Sequence, residues 1–334
     1  MATIKDVAKR AKVSVATVSR VMGNKEHVTE SARLKVEKAI KELNYQPNIT
    51  ARRLREQKTK SIIVIVPDIN NTFFPEVFRG IEAVATQKGY RVWLEDMQNN
   101  PDIEREIFEV LPQKQVDGII SLTARTKRET IEAVAKQYPL VIAGQYLEDS
   151  KIPYVGISNI KASRDAVNHL IKLGHTNIAH ISGPLNQLIF QDRLKGYESA
   201  LERAGLKVDK DLVFKGNYTY ESAFELSTEI IKSKKQITAI FAANDEMAAG
   251  VIKGIKAAGK RVPEDYAVIG FDNIRLAAII EPAITTINQP KKEMGKRAIE
   301  MLFDLIEGRA LKEERVVLKH SLVVRESCGE KVRD

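Results

Sequence analysis

The sequence has few of the features that mark secreted or membrane-bound proteins. Among 334 residues there is one cysteine, Cys328, so no disulfide can form within the chain. No apolar run approaches the roughly 18 residues that a membrane span requires, and the first residues, MATIKDVAKR, contain no apolar segment typical of a signal peptide. We therefore expect a cytoplasmic protein.

Motifs of common enzymes and metal sites are also absent. The segment after the first predicted strand reads PDINNTFF rather than G-x-G-x-x-G, and neither a P-loop nor a G-x-S-x-G elbow occurs. His175 and His180 have no cysteine or further histidine at metal-ligand spacing, so we interpret them as structural. Cys328 lies among charged residues near the C-terminus, which does not suit a catalytic thiol. We expect no catalytic residue, no metal and no cofactor.

Positive charge is abundant, but only in one segment. Residues 1–60 hold 15 Lys and Arg against 6 Asp and Glu, whereas residues 61–334 hold 38 of each kind. A segregated basic segment indicates binding to a polyanion such as nucleic acid. The alternative, a basic tail that only aids solubility, does not explain the helical pattern of the segment.

Two short helices are predicted at the N-terminus. Thr3, followed by Asp6, is typical of a helix start, and apolar residues then recur at helical spacing. After a tight turn at residues 12–14, Ser14 is predicted to cap a second helix. Its inward-facing residues are predicted to be Val18, Val21 and Met22. This arrangement predicts a helix-turn-helix, in which the second helix lies in the major groove.

The outward face of the second helix suits base recognition. Arg20 can pair with guanine, and the methyl groups of Val15 and Ala16 can meet a thymine methyl. Thr17 and Ser19 are candidates for phosphate contacts, although such residues are equally common on plain surfaces. A small helical pair that binds no DNA is the alternative, and the local charge disfavours it.

A third helix, from Thr29 to about Leu43, is predicted to close the small core of this head. Pro47 then interrupts the chain, and Asn48 is predicted to cap a short fourth helix, ITARRLREQ. A helix of this length is poorly populated alone, because isolated helices below about 12 residues are marginal in water. We expect this fourth helix to form only in contact with a partner.

From residue 61 onward, short apolar runs alternate with helical stretches, beginning with SIIVIV and restarting at NIAHIS. Near-continuous apolar strands indicate parallel sheets covered by helices on both faces. The sequence therefore predicts two similar doubly wound α/β halves, with the binding site in the cleft between them.

Polar and aromatic side chains follow the predicted strands, where ligands of open parallel sheets collect. The candidates for effector binding are Asp68, Asn71, Phe73, Phe74, Arg193, Tyr218, Asn244, Asp272 and Gln289. Together they suit a sugar or nucleoside, with hydroxyls hydrogen-bonded and a ring face stacked. Taken singly, each has an alternative as a helix cap, a core residue or a surface ion pair.

Two segments, TIKDVAKRAKVSVATVSRV and NYQPNITARRL, resemble the head and hinge of the LacI/GalR family of bacterial repressors, and the rest of the chain matches as well. The resemblance implies an all-α helix-turn-helix head (1–46), a hinge helix and linker (47–60), and a periplasmic-binding-protein-like sensor (61–334). Within the sensor it implies an N-subdomain of about 61–160 and 291–320, and a C-subdomain of about 161–290. The segments PDINNTFFPEVFRGIE and GFDNIRLAAIIEPAITTINQP most resemble the cytidine-responsive branch.

The same resemblance implies a homodimeric transcriptional repressor, associated with the nucleoid, that binds a near-palindromic operator under control of a small effector. Val15, Ala16 and Arg20 become base-reading positions. Leu54 becomes a side chain that wedges into the minor groove, with packing of the hinge pair as its alternative role. The positions that we assign to DNA contact are Thr3, Ser14, Val15, Ala16, Thr17, Ser19, Arg20, His27, Asn48, Ala51 and Leu54.

Two alternatives share the expected α/β fold, namely an enzyme and a solute-binding protein for uptake. The missing catalytic motifs argue against the first, and the basic helix-turn-helix argues against the second.

Overall fold

The structure, a computed structural model, describes residues 2–22, 28–45 and 58–330. The chain divides into two compact units, Met1–Thr59 and Lys60–Asp334. The predicted DNA contacts at His27, Asn48, Ala51 and Leu54 lie outside the described residues.

The described part of the first unit contains the first three predicted helices: α1 (Ile4–Ala11), α2 (Val15–Met22) and α3 (Glu30–Glu42). The predicted fourth helix, ITARRLREQ, lies outside the described residues. Thr3 and Asp6 form a capping box at the start of α1, and Thr29 caps α3 through the N–H of Ala32. The helices pack around a small apolar core. Its buried members are Val7, Ala8, Ala11, Val18, Val36, Ala39 and Tyr45.

The second unit is α/β. Its strands are β1 (Ser61–Val66), β2 (Arg91–Asp96), β3 (Gly118–Ser121), β4 (Leu140–Ala143), β5 (Tyr154–Ile157), β6 (Ile178–Ser182), β7 (Val213–Lys215), β8 (Ala239–Ala242), β9 (Ala267–Asp272), β10 (Thr285–Asn288), β11 (Arg315–Leu318) and β12 (Ser321–Val323). Its helices are α4 (Phe73–Gln87), α5 (Pro101–Phe108), α6 (Arg128–Ala135), α7 (Asn159–Lys172), α8 (Leu188–Arg203), α9 (Tyr220–Lys232), α10 (Asp245–Ala257), α11 (Arg275–Ile279) and α12 (Lys291–Ile306). Short 3-10 turns occupy Lys210–Leu212 and Glu326–Cys328.

These strands form two six-stranded sheets. The first has the order β11-β5-β4-β3-β1-β2 and the second β12-β10-β9-β8-β6-β7. All neighbours are parallel except β10 and β12, which pair antiparallel. We call the first sheet with its helices the first lobe and the second the second lobe. The chain passes between lobes after β5, after β10 and after β11.

Both sheets are covered on their two faces, which is why their central strands are buried and mostly apolar. All six residues of β1 and all four of β8 are buried. In the first lobe α4 and α12 pack against each other so closely that a Cβ on Gly80 would lie 2.1 Å from the Lys292 carbonyl oxygen. Glycine is therefore required there by space.

The starts of two helices place candidate site residues. Helix α4 begins at Phe73, and the Asn71 side chain, two residues earlier, accepts a hydrogen bond from the Phe73 N–H at 2.9 Å. Helix α8 begins at Leu188, so Arg193 lies in its second turn. The strands β5, β11 and β12 were not predicted. In residues 2–22, 28–45 and 58–330, no helix is long and apolar enough to cross a membrane.

Candidate functional site

The second helix of the head exposes the residues that sequence analysis assigned to base reading. The Val15 side chain is 39% exposed, and Ala16 and Arg20 are exposed as well, while Val18 on the opposite face is fully buried. Within the described parts of the head, no ion pair holds the Arg20 guanidinium. The face is therefore available to a ligand, and its contact with DNA stays a prediction.

Three other predicted DNA contacts also stabilise helix starts. The Ser14 hydroxyl accepts the Thr17 N–H at 3.1 Å, and the two hydroxyls lie 2.9 Å apart. Thr3 binds Asp6 through both its N–H and its hydroxyl, which lowers the pKa of that carboxyl. Ser14, Thr17 and Thr3 consequently fix the N-terminal ends of the helix pair, whatever further contacts they make.

A cleft lies between the two lobes of the second unit. It is lined by Pro67, Phe73, Phe74, Leu122, Arg125, Gly144, Gln145, Gln187, Ile189, Phe190, Arg193, Tyr218, Asp272 and Gln289. Most of these residues follow the carboxyl ends of strands, as expected for a parallel sheet.

An ionic network forms the second-lobe wall of this cleft. The Arg193 guanidinium donates to Asp272 Oδ1 at 3.3 Å and to Asn159 Oδ1 at 3.0 Å, and it also donates to the Ala243 carbonyl. Its carbon lies 3.7 Å from the ring centre of Phe271. Gln289 Nε2 donates to the same Asp272 oxygen at 2.6 Å. Burial raises the pKa of Asp272, and the nearby Arg193 opposes that shift.

Aromatic rings form the apolar walls. Phe73 and Phe74 meet edge to face with ring centres 5.3 Å apart, and Phe190 lies 5.2 Å from Tyr218. Such rings offer flat apolar surfaces beside a polar network, which suits a ligand with one hydroxylated edge and one apolar face.

Tyr218 is held from both lobes. Asn71 Nδ2 of the first lobe donates to the Tyr218 hydroxyl at 2.9 Å, and Asn244 Nδ2 donates to the Tyr218 carbonyl at 3.0 Å. The backbone of Tyr218 has φ of +81°, a conformation that residues other than glycine rarely adopt. These bonds therefore hold a strained residue in place. A second interlobe bond joins the Tyr146 hydroxyl to Asp192 at 2.9 Å.

Six of the nine predicted effector residues line the cleft, and three do not. Asn71 and Asn244 hold Tyr218 instead, and Asn244 also caps α10 through the Met247 N–H. Asp68 accepts hydrogen bonds from the N–H and the side chain of Asn70. Sequence analysis missed Arg125, Gln145 and Phe190. Arg125 follows β3, so the rule that selected residues after strands, applied to β3, identifies it.

Replacing Tyr218 by phenylalanine removes the Asn71 bond while keeping the ring. We expect the free energy of unfolding to fall by about 1 kcal/mol, the usual net value of a hydrogen bond. Urea denaturation measures it, with Tyr138→Phe as control, since the structure shows no hydrogen bond at the Tyr138 hydroxyl in the described chain. Equal losses in both variants would show that the interlobe bond contributes nothing.

A buried carboxyl supports the turn that carries Asp272. Asp245 accepts hydrogen bonds from Thr286 Oγ1 at 2.5 Å and from the Ile274 N–H at 2.8 Å. Burial, aided by the negative charge of Asp272, raises the pKa of Asp245 to about 8. The folded protein thus holds a proton that the unfolded chain loses near pH 4.

This raised pKa predicts a pH dependence of stability. The contribution of Asp245 is fully present below about pH 4 and is lost as pH rises toward 8, because the unfolded state then binds fewer protons. Asp245→Asn cannot ionise, so its stability relative to the wild type should improve over that range, by about 2 °C or more in Tm. Thermal melts at pH 5, 6.5 and 8 measure it, with the exposed Asp211→Asn as control. A constant difference across pH would contradict the assignment.

His180 and His175 both make contacts within the fold. His180 is fully buried between the rings of Tyr197 and Phe241, and its Nδ1 donates to the Phe241 carbonyl at 2.9 Å. Burial lowers its pKa to about 4, so it is neutral near pH 7. His175 Nδ1 lies 2.9 Å from the Thr238 hydroxyl. Over the described chain, no cluster of three His, Cys, Asp or Glu residues could hold a metal ion.

The helical head and the two-lobed domain with its cleft define a class: a DNA-binding regulator that carries a ligand-binding domain. Comparisons with known proteins agree. A model described as "Bacterial regulatory proteins, lacI family" matches residues 3–48, and a "Periplasmic binding protein-like domain" matches residues 167–328.

Full-length relatives extend the match. The repressor CytR of Escherichia coli K12 is 37% identical over 98% of this chain and 96% of its own. Catabolite control protein A of Priestia megaterium is 39% identical over 97% and 98%. The solved lac repressor dimer, bound to operator and the anti-inducer ONPF, superposes with a TM-score of 0.88 at 29% identity, covering 98% of this chain and 99% of that one.

The chain belongs to the LacI family of bacterial transcriptional regulators. It is a regulator and not an enzyme, and the predicted family and fold class are confirmed. Identity to CytR and to catabolite control protein A is nearly equal, so the cytidine-responsive branch stays a prediction.

Proposed function

We propose that the protein is a homodimeric repressor that binds a near-palindromic operator and responds to a sugar or nucleoside bound in the cleft. The carrying observation is the cleft itself, where aromatic walls face the network of Arg193, Asp272 and Gln289. The likeness to a repressor dimer on its operator supports the dimer, because two-fold protein symmetry is mirrored in the DNA site. Because the protein binds operator DNA, we place it in the cytoplasm at the nucleoid.

The proposal divides the chain into a head (1–46), a hinge (47–60) and a sensor (61–334). Within the sensor, the subdomains proposed from sequence leave residues 321–334 unassigned. We add residues 321–330 to the second subdomain because β12 pairs with β10 and the Ser327 hydroxyl donates to the Val268 carbonyl at 2.6 Å. Effector binding changes the orientation of the two lobes relative to each other, and the hinge transmits this change to the heads. Linkage requires that operator DNA change the effector affinity by the same factor.

The test uses the full-length protein on an operator selected from random duplexes. Fluorescence anisotropy measures the operator Kd with each of a panel of sugars and nucleosides. We expect one class to shift that Kd by about 5-fold to 150-fold, the usual range of allosteric coupling. Asp272→Asn should lose the shift and keep the operator affinity. If the variant responds like the wild type, the effector does not bind in the cleft.

A further inference from the structure

The two ends of the cleft differ in how their charged groups are satisfied. At the second-lobe end, the Arg193 guanidinium is held by an amide oxygen, a main-chain carbonyl and a carboxylate, all within the protein. At the first-lobe end, the guanidinium of Arg125 lines the same cleft. Its Nε is buried and makes no hydrogen bond within the residues that the structure describes.

The loop that carries Arg125 is firmly held, so its position is built into the fold. Glu104, which is fully buried, accepts the N–H groups of Arg125 and Thr126 at 3.0 and 2.8 Å and the Ser121 hydroxyl at 3.2 Å. The Glu104 carboxylate thus binds the backbone of the loop, while the Arg125 side chain lines the cleft. Glu104 anchors the residue without bonding its guanidinium.

A buried donor without a partner requires a physical explanation. Such a group loses its hydrogen bonds to water without replacing them, so native proteins rarely keep one away from functional sites. Desolvation by burial lowers the pKa of Arg125, and the nearby Tyr218, Glu104 and Asp68 oppose that shift. A ligand oxygen that meets this guanidinium would remove both penalties.

We propose that Arg125 binds an anionic oxygen of the effector, a phosphate or carboxylate, so that the cleft prefers an acidic sugar or a nucleotide to its uncharged counterpart. A guanidinium presents a planar fork of donors that matches these two groups. The acidic group lies at the first-lobe end, and hydroxyls lie at Asp272 and Gln289. This inference rests on the proposed effector function and narrows its ligand class.

Matched ligand pairs test the preference on the full-length protein by titration calorimetry. The pairs are ribose with ribose 5-phosphate, glucose with glucuronate, and cytidine with cytidine 5′-monophosphate. We expect the anionic member of at least one pair to bind about 10-fold to 100-fold more tightly, as a charge-assisted hydrogen bond allows. Whether the phosphate or the carboxylate pairs show the preference identifies the group.

Variants then assign the preference to Arg125. Arg125→Gln should reduce the affinity for the anionic member to that of its neutral partner, and Arg125→Lys should keep part of the difference. The control is Arg128→Gln, which removes an equal charge from a residue already paired with Glu132 at 2.8 Å, and it should change nothing. If Arg125→Gln does not fold, the anionic affinity of the wild type must still fall with added NaCl and be weakened in Arg125→Lys.

Three results overturn the inference: neutral members bind as tightly as anionic ones, the preference survives in Arg125→Gln, or no anionic probe binds. These results can be distinguished from a failure of the proposed effector function. Binding of a neutral member that is lost in Asp272→Asn leaves the cleft as the effector site and removes only the role of Arg125.

Discussion

Arg20→Ala should weaken binding to the operator by about 1–3 kcal/mol per half-site, the value of a bidentate contact between arginine and guanine. Arg20 is exposed on α2, and the same helix buries Val18 in the core of the head. The substitution would therefore remove the predicted base contact without opening a cavity. Binding to random duplex should fall far less, because that binding depends on total positive charge. Anisotropy on selected and random duplexes measures both.

Lys35→Ala is the matched control for Arg20→Ala. Lys35 is exposed on α3, and its loss removes the same unit of charge from the head. This variant should lower both affinities slightly and leave their ratio unchanged. Effector binding, measured by calorimetry, should be normal in both variants. If Arg20→Ala keeps the wild-type ratio, α2 does not read bases through this residue.

The α/β architecture could be predicted from local sequence patterns because both lobes alternate buried apolar strands with helices. The run SIIVIV is β1 without adjustment, since a strand buried on both faces is apolar along nearly its whole length. The strands β11 and β12 carry weaker patterns, with exposed and partly buried residues, because they lie at the edges of the two sheets. Their assignment to different sheets depends on contacts far apart in the chain, which local patterns do not contain.

The sequence predicted where the site residues lie better than it predicted what each of them contacts. Asn71 and Asn244 follow strands, as ligand residues do, but the structure uses them to hold Tyr218 across and within the lobes. A sequence shows that an amide follows a strand, and it does not show whether that amide faces a cavity or a neighbouring backbone. Arg125 is a cleft residue that the sequence analysis left out. Its unsatisfied donor becomes visible only in the structure, which shows that its Nε is buried without a hydrogen-bond partner among the described residues.

Arg193→Met should lower the free energy of unfolding of the second unit by about 3–5 kcal/mol, the usual loss when one member of a buried ion pair is removed. The Arg193 and Asp272 side chains are only 4% and 3% exposed. Without the guanidinium, the Asp272 carboxylate keeps its bond to Gln289 and loses its ion-pair partner. The loss should be larger at pH 8 than at pH 5, because the stranded carboxyl can protonate in acid. Denaturant unfolding at both pH values measures it.

The double variant Arg193→Met/Asp272→Asn separates the ion pair from packing. If the stranded charge causes most of the loss, the double variant should be more stable than the sum of the two single variants predicts, by about 1–3 kcal/mol. The exposed pair Arg261 and Asp265, 3.4 Å apart, gives the matched cycle, with an expected coupling below about 1 kcal/mol. Equal coupling in the two cycles would mean that Arg193 stabilises the cleft through its packing on Phe271 and its other hydrogen bonds, and not through the charge of Asp272.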